Sequence, residues 1–182
     1  EFSSSIKELT PTAKKTLSTF VVASSLRALS PSNLSFNVKG IEILLKAWKS
    51  YPSDREKIVI CGTGPMEAWC REFVEEHQLD NVELKGFVEN SAVKKMIGES
   101  KALILPTQVY EGFPMTIAEA YACGTPVIGS DLGNTGSLIE DGVSGWKFAH
   151  RSPQALAECV HKMKTWNTEF PKQIQKKYSM EE

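Results

Sequence analysis

The sequence predicts a doubly wound α/β fold: a parallel β-sheet of about six strands with helices on both faces. Three observations carry this. Short β-branched apolar runs alternate along the chain with stretches whose apolar residues recur at helical spacing. The runs KIVIC at Lys57–Cys61 and ALIL at Ala102–Leu105 are apolar almost throughout, as strands buried on both faces are. Proline and glycine stand at the junctions between the two kinds of segment.

Taken in order, TFVVA at Thr19–Ala23 reads as the first strand. Residues 39–51 read as a helix, with Ile41, Leu44, Leu45 and Trp48 on one stripe. Lys57–Cys61 is the second strand. Pro65 opens the next helix, where its missing N–H costs nothing, and this helix carries Trp69, Phe73 and Val74 to about Gln78. Residues 81–85 (NVELK) form a strand, 91–99 a short helix, and Ala102–Leu105 a buried strand stopped by Pro106. A helix over 114–123 ends at Gly124, a residue suited to the left-handed position after a helix. A strand follows at 126–129, a short helix at 136–141 and a final strand at Gly145–Phe148. Ser152 caps, and Pro153 opens, a helix reaching about Trp166.

The 182 residues suit one domain. Residues 1–15 read as an N-terminal extension whose opening Glu1-Phe2 has the look of a vector-derived scar. Residues 16–166 read as the folded domain, and 167–182 as a polar tail beginning a truncated helix. The formal net charge is −1, which argues against nucleic acid as a partner. Cys61, Cys70, Cys123 and Cys159 form no C-x-x-C pair and no zinc spacing with His77, His150 or His161. They read as free thiols of a reducing compartment. No apolar run is long enough to span a bilayer and no signal-peptide pattern is present. The expected location is cytoplasmic, with peripheral contact at the inner membrane face open to the parent protein.

In a doubly wound sheet, ligands bind outside the carboxyl ends of the strands, so chemistry is sought in the strand-to-helix loops. The first loop holds Arg27 and ends at Lys39-Gly40 on a helix start. Read locally it is either a phosphate site or, the plainer reading, a solvated surface insertion. The second, Cys61-Gly62-Thr63-Gly64-Pro65, allows a tight backbone approach. It lacks the third glycine of the dinucleotide fingerprint and does not follow the first strand, so a nicotinamide enzyme is disfavoured and an ordinary turn stays open. After the third strand, Phe87 beside Val88 is either a stacking surface for a flat base or simply core. The loop from Pro106 to Glu119 is the informative one. Glu111 lies in it, Gly112 permits close approach, and the amides near Phe113–Thr116 open a helix and offer an anion site. Glu119 follows about one turn on. Two carboxylates flanking an anion site make chemical sense if they accept hydrogen bonds from hydroxyls on either side of it, as a sugar and a ribose would supply. The remaining loop, Gly129 to Gly136, and the segment Glu140 to Gly145 are rich in turn residues, the latter reading as structural.

The order G-x-G-P, G-F, P-x(4)-E-G-F-P-x(4)-E-A, A-x-G-T-P-V-I and E-D-G-x-S-G resembles the C-terminal, Rossmann-like domain of GT-B glycosyltransferases. Specifically it resembles the retaining family-4 group, or glycosyl transferases group 1, over roughly residues 19–166. That resemblance implies a nucleoside-diphosphate sugar as donor substrate, no other cofactor and no metal. Position by position, it implies Glu111 beside the donor sugar, with Gly112, Phe113, Pro114, Met115 and Thr116 lining sugar and diphosphate. Glu119 would hold the ribose hydroxyls, Gly62 and Gly64 border the nucleotide, and Phe87 and Val88 border the base. Lys39 would neutralise the leaving diphosphate. The family's arginine stands a few residues before its K-G pair. Here Arg27 lies twelve positions before Lys39, so either it reaches back through an enlarged loop or that function is lost. The resemblance further implies an acceptor domain outside this sequence, taking a glycan or lipid-linked sugar in polysaccharide or glycoconjugate biosynthesis. The chain alone would then be inactive. A non-catalytic module of the same origin and a GT-B sugar-nucleotide epimerase are the alternatives.

Overall fold

The computed structural model describes residues 19–23, 39–51, 56–166 and 168–179. The strands are β1 (Thr19–Ala23), β2 (Lys57–Cys61), β3 (Val82–Gly86), β4 (Ala102–Leu105), β5 (Val127–Ser130) and β6 (Gly145–Phe148). The helices are α1 (Ile41–Ser50), α2 (Glu67–Glu76), α3 (Asn90–Gly98), α4 (Met115–Ala122), α5 (Gly133–Leu138), α6 (Pro153–Thr165) and α7 (Lys172–Ser179). All strands pair in parallel, in the order β3-β2-β1-β4-β5-β6. The winding therefore reverses between β1 and β4, with Phe20 opposite Ala102 and Val21 opposite Leu103. A crevice opens at such a reversal, beyond the carboxyl ends of the strands.

The continuous apolar character of the central strands follows from burial on both sides. Phe20, Val22, Ile58, Ile60, Ile104 and Ile128 share one face with α1 and α6. There Trp48 meets Phe20 edge to face at 5.8 Å between ring centroids. Val21, Val59, Leu103, Leu105 and Val127 share the other face with Ile97 of α3 and Ile117, Ala120 and Tyr121 of α4. On α1 the expected stripe is the buried one: Ile41, Leu44, Leu45 and Trp48. Ser152 caps α6 by accepting a hydrogen bond from the Ala155 amide at 3.1 Å. Most boundaries shift by one or two residues from the sequence expectation, and two shifts have a clear local cause. The helix expected from Pro65 starts at Glu67, because Pro65 and Met66 are spent in the turn before it. The short helix expected at 136–141 occupies Gly133–Leu138 instead. Thr135 and Gly136 are buried against the end of β5, and that burial outweighs the poor helix propensity of the two glycines. The helix expected to begin in the tail is α7. Phe170, Ile174 and Tyr178 pack on the second face of the core, and Tyr178 and Phe170 each stand 5.3 Å from the Tyr121 ring.

Tyr121 joins these layers. Its hydroxyl donates to the Leu138 carbonyl and is hydrogen-bonded to Ser144 Oγ, both at 2.9 Å. Burial pushes its pKa up from 10.0 to about 12. The folded state thus holds this proton more tightly than the unfolded chain. The associated stability is complete below pH 10.0 and is lost as pH rises toward about 12, each tenfold difference in proton affinity being worth about 1.4 kcal/mol. Tyr121→Phe is expected to cost about 1–2 kcal/mol at neutral pH through the lost hydrogen bonds. It should also make the alkaline limb of a stability–pH curve shallower by close to one proton. Denaturant titrations from pH 9 to about 12 check both effects.

Candidate functional site

The site is assembled where α1 and the β4–α4 loop meet at the reversal of the sheet. Gly40, the residue before α1, has φ +70°, and a Cβ there would lie 1.7 Å from the Pro106 carbonyl oxygen. The chain entering α1 is therefore seated directly on the carboxyl end of β4. Lys39 is brought to the β4–α4 loop in this way, and its Nζ stands 2.8 Å from Glu111 Oε1, an ion pair between residues 72 positions apart.

The loop carrying Glu111 is tied down from several sides. Gln108 Nε2 donates to the carbonyls of Pro106 at 2.8 Å and Thr107 at 3.2 Å, while its Oε1 accepts from the Arg151 amide at 2.8 Å. Asn134, near the start of α5, donates through Nδ2 to the Glu111 carbonyl at 3.2 Å and to the Gly112 carbonyl. The Tyr110 ring lies against Gly133 yet remains 79% exposed. A Cβ on Gly112 would meet nothing within 4 Å, so the space over this residue is open.

Pro114 precedes α4 with no side chain capping the helix. The sequence suggests a run of free amides from Phe113 to Thr116, and the structure narrows it. Pro114 has no N–H, and the Met115 amide donates to the Phe113 carbonyl at 3.0 Å, so among the described residues the Phe113 and Thr116 amides are the ones at this helix start without a backbone acceptor. Phe113 and Met115 side chains are more than half exposed on the same edge. Glu119 lies one turn into α4, its Oε1 3.6 Å from Lys94 Nζ of α3. Each carboxylate of the E-x(7)-E element therefore faces a lysine, Glu111 more closely than Glu119.

The two glycine loops converge beside this edge. The Gly62 amide donates to the Gly86 carbonyl at 2.6 Å, and Gly64 accepts from the Glu67 amide at 3.0 Å. A small apolar hollow beside them is lined by Ile41, Ile60, Gly62, Cys70, Leu84 and Gly86. Phe87 is 73% exposed and so is not core, whereas Val88 packs into the second apolar cluster. Arg27 lies outside the described residues. Cys61, Cys70 and Cys159 are buried, and burial pushes Cys70 and Cys159 up to about 11.

Lys39, Glu111, Gly112 and the start of α4 are thus brought together, with Gly62, Gly64 and Phe87 along the same edge of the sheet. Asn134, Gln108 and Tyr110 carry no signal of a site in the sequence. Asn134 stands in a glycine-rich segment whose composition signals only a turn, and its reach to the Glu111 loop depends on the packing of α5. Chemically, a lysine and two helix-start amides favour an anion, while the carboxylates favour hydroxyl donors.

The family model for glycosyl transferases group 1 matches residues 25–178. Among curated relatives, the chain is 31% identical over 140 residues to an amylovoran biosynthesis glycosyltransferase of Erwinia amylovora, covering 72% of this chain and 34% of that protein. It is 30% identical over 133 residues to the O-antigen chain mannosyltransferase C of Escherichia coli, again covering 72% and 34%. The chain therefore spans about a third of the length of these relatives. Among solved structures, Anabaena HepE in complex with UDP superposes with a TM-score of 0.72 at 21% identity, covering 90% of this chain and 44% of that one. The pneumococcal O-GlcNAc transferase GtfA, in complex with UDP and GlcNAc, superposes with a TM-score of 0.61 at 25% identity, covering 82% and 28%.

Proposed function

We propose, from the premise that the chain belongs to the glycosyl transferases group 1 family, that it is the donor-binding domain of an enzyme moving a sugar from a nucleoside-diphosphate sugar to a hydroxyl acceptor with retention. The observation that carries this reading is the meeting of Lys39 with Glu111 beside the open start of α4, at the reversal of the sheet. Lys39 and the Phe113 and Thr116 amides supply positive charge where a departing diphosphate accumulates negative charge. Glu111 accepts hydrogen bonds from donor-sugar hydroxyls, in the space left open over Gly112. Glu119 takes the ribose hydroxyls. The loops of Gly62 and Gly64 border the nucleotide, and exposed Phe87, with the backbone of Val88, borders the base. Pro114 and Met115 shape the wall between sugar and diphosphate.

The acceptor, a glycan or lipid-linked sugar, is bound by a partner domain outside this chain, and the chain alone turns over no donor. This fits relatives about twice its length, one named for amylovoran biosynthesis and one as an O-antigen chain mannosyltransferase. Free thiols, three of the four buried, agree with a cytoplasmic setting. No helix among the described residues is long and apolar enough to cross a membrane.

Equilibrium titration of the chain with uridine, guanosine and adenosine diphosphates tests the reading. One of the three is expected to bind, and Glu119→Gln should weaken it about tenfold by removing a charged hydrogen-bond acceptor. A folded chain that binds none of them, or a Glu119→Gln variant with unchanged affinity, contradicts the assignment.

A further inference from the structure

Lys39 and Glu111 satisfy each other directly. Their side chains are only 25% and 17% exposed, and Nζ and Oε1 are 2.8 Å apart. Both backbones are anchored: Lys39 through the seating of Gly40 on Pro106, and Glu111 through Asn134 on its own and the next carbonyl. The pair is therefore set by the fold rather than by two mobile side chains meeting at the surface.

This has unequal consequences for two ligands that differ only by the sugar. A bare nucleoside diphosphate must draw Lys39 away from Glu111. It then leaves that carboxylate without a partner and next to added negative charge. A nucleoside-diphosphate sugar also draws Lys39 away, but its hydroxyls donate to Glu111 and replace what the carboxylate loses. It also brings one phosphate charge fewer.

Resting on the reading proposed above, we infer that the Lys39–Glu111 pair is a specificity device: Glu111 is the resident counter-ion that makes the site prefer the sugar-bearing donor over the bare diphosphate. After transfer, the spent diphosphate faces Glu111 re-forming its pair with Lys39, which favours release of product. Glu111 thus acts against the product as well as toward the sugar.

The test compares wild type with Glu111→Gln, which keeps the shape and a carbonyl acceptor but removes the charge. Affinities are measured for uridine, guanosine and adenosine diphosphates and for UDP-glucose, GDP-mannose and ADP-glucose. Circular dichroism verifies that the variant is folded. For the nucleotide that binds, Glu111→Gln should tighten the bare diphosphate about five- to tenfold, the scale of a partly buried ion pair. It should leave the sugar conjugate unchanged or weaker, so the preference for the conjugate falls by at least that factor. An unchanged or weakened diphosphate, or an equal gain for both ligands, overturns the inference while leaving donor binding in place. Failure of every nucleotide to bind either protein overturns the underlying reading instead.

Discussion

Replacing Lys39 with methionine is expected to lower the transfer rate of the parent enzyme by a factor of roughly 100 to 1,000. In the isolated chain it should weaken the bound nucleoside diphosphate about tenfold. The size follows from what is removed. Lys39 is the cation that the fold delivers to the start of α4, and a hydrogen bond from a charged donor is worth about 1.5–3 kcal/mol. Part of that loss is offset, because the variant has no Lys39–Glu111 pair to break when the diphosphate binds. The double variant Lys39→Met/Glu111→Gln should recover part of the affinity, because it removes the orphaned charge. Titration calorimetry on the four proteins of this cycle measures the coupling directly. Additive effects would mean that the 2.8 Å pair has no energetic role.

Gly40→Ala is expected to cost about 3 kcal/mol or more, placing it among the most damaging single changes available outside the apolar core. Two penalties combine. The residue sits at φ +70°, where an L side chain is strained, and the new Cβ would lie 1.7 Å from the Pro106 carbonyl oxygen. Backbone lies on both sides of that contact, so no side-chain rotation relieves it. Either α1 lifts from the end of β4 or the β4–α4 loop shifts, and both movements separate Lys39 from Glu111. A domain of this size should lose roughly 6–12 °C in Tm. Nucleoside-diphosphate affinity should fall with it, even at temperatures where the variant is fully folded. A variant with unchanged Tm would show that α1 is not seated on β4 in this way.

The architecture is legible in the sequence because its signals are redundant. Strands such as KIVIC and ALIL are apolar on both faces only if helices cover both, and the stripe Ile41, Leu44, Leu45 and Trp48 has one solution as a helix. The boundary shifts at Pro65 and at Gly133–Leu138 are places where local propensity is overruled by a turn or by burial against β5. The site is legible in part. Glu111, Gly112 and Glu119 announce themselves by spacing within one loop and helix. Local sequence favours a solvated insertion for the segment ending at Lys39. The resemblance alone points to Lys39 there, and the physical reason appears when Gly40 meets Pro106 and a lysine 72 residues away reaches Glu111. Asn134 is hidden for the same reason, since its amide acts on carbonyls brought near it by the packing of α5. The Phe113–Thr116 amides show a converse limit. Sequence locates a helix start, but not which of its N–H groups the turn itself consumes.

The central claim is that a nucleoside diphosphate lies along the carboxyl edge of the sheet, between Lys39 and the start of α4. The most direct measurement is a backbone amide NMR titration of the isotopically labelled chain with the nucleoside diphosphate that binds. The largest shifts are predicted at Lys39, Gly40, Glu111, Gly112, Phe113 and Thr116, with a second group at Gly62, Gly64 and Phe87. Shifts confined to the amino edge of the sheet, or to the surface of α6 and α7, would place the ligand elsewhere and contradict the claim.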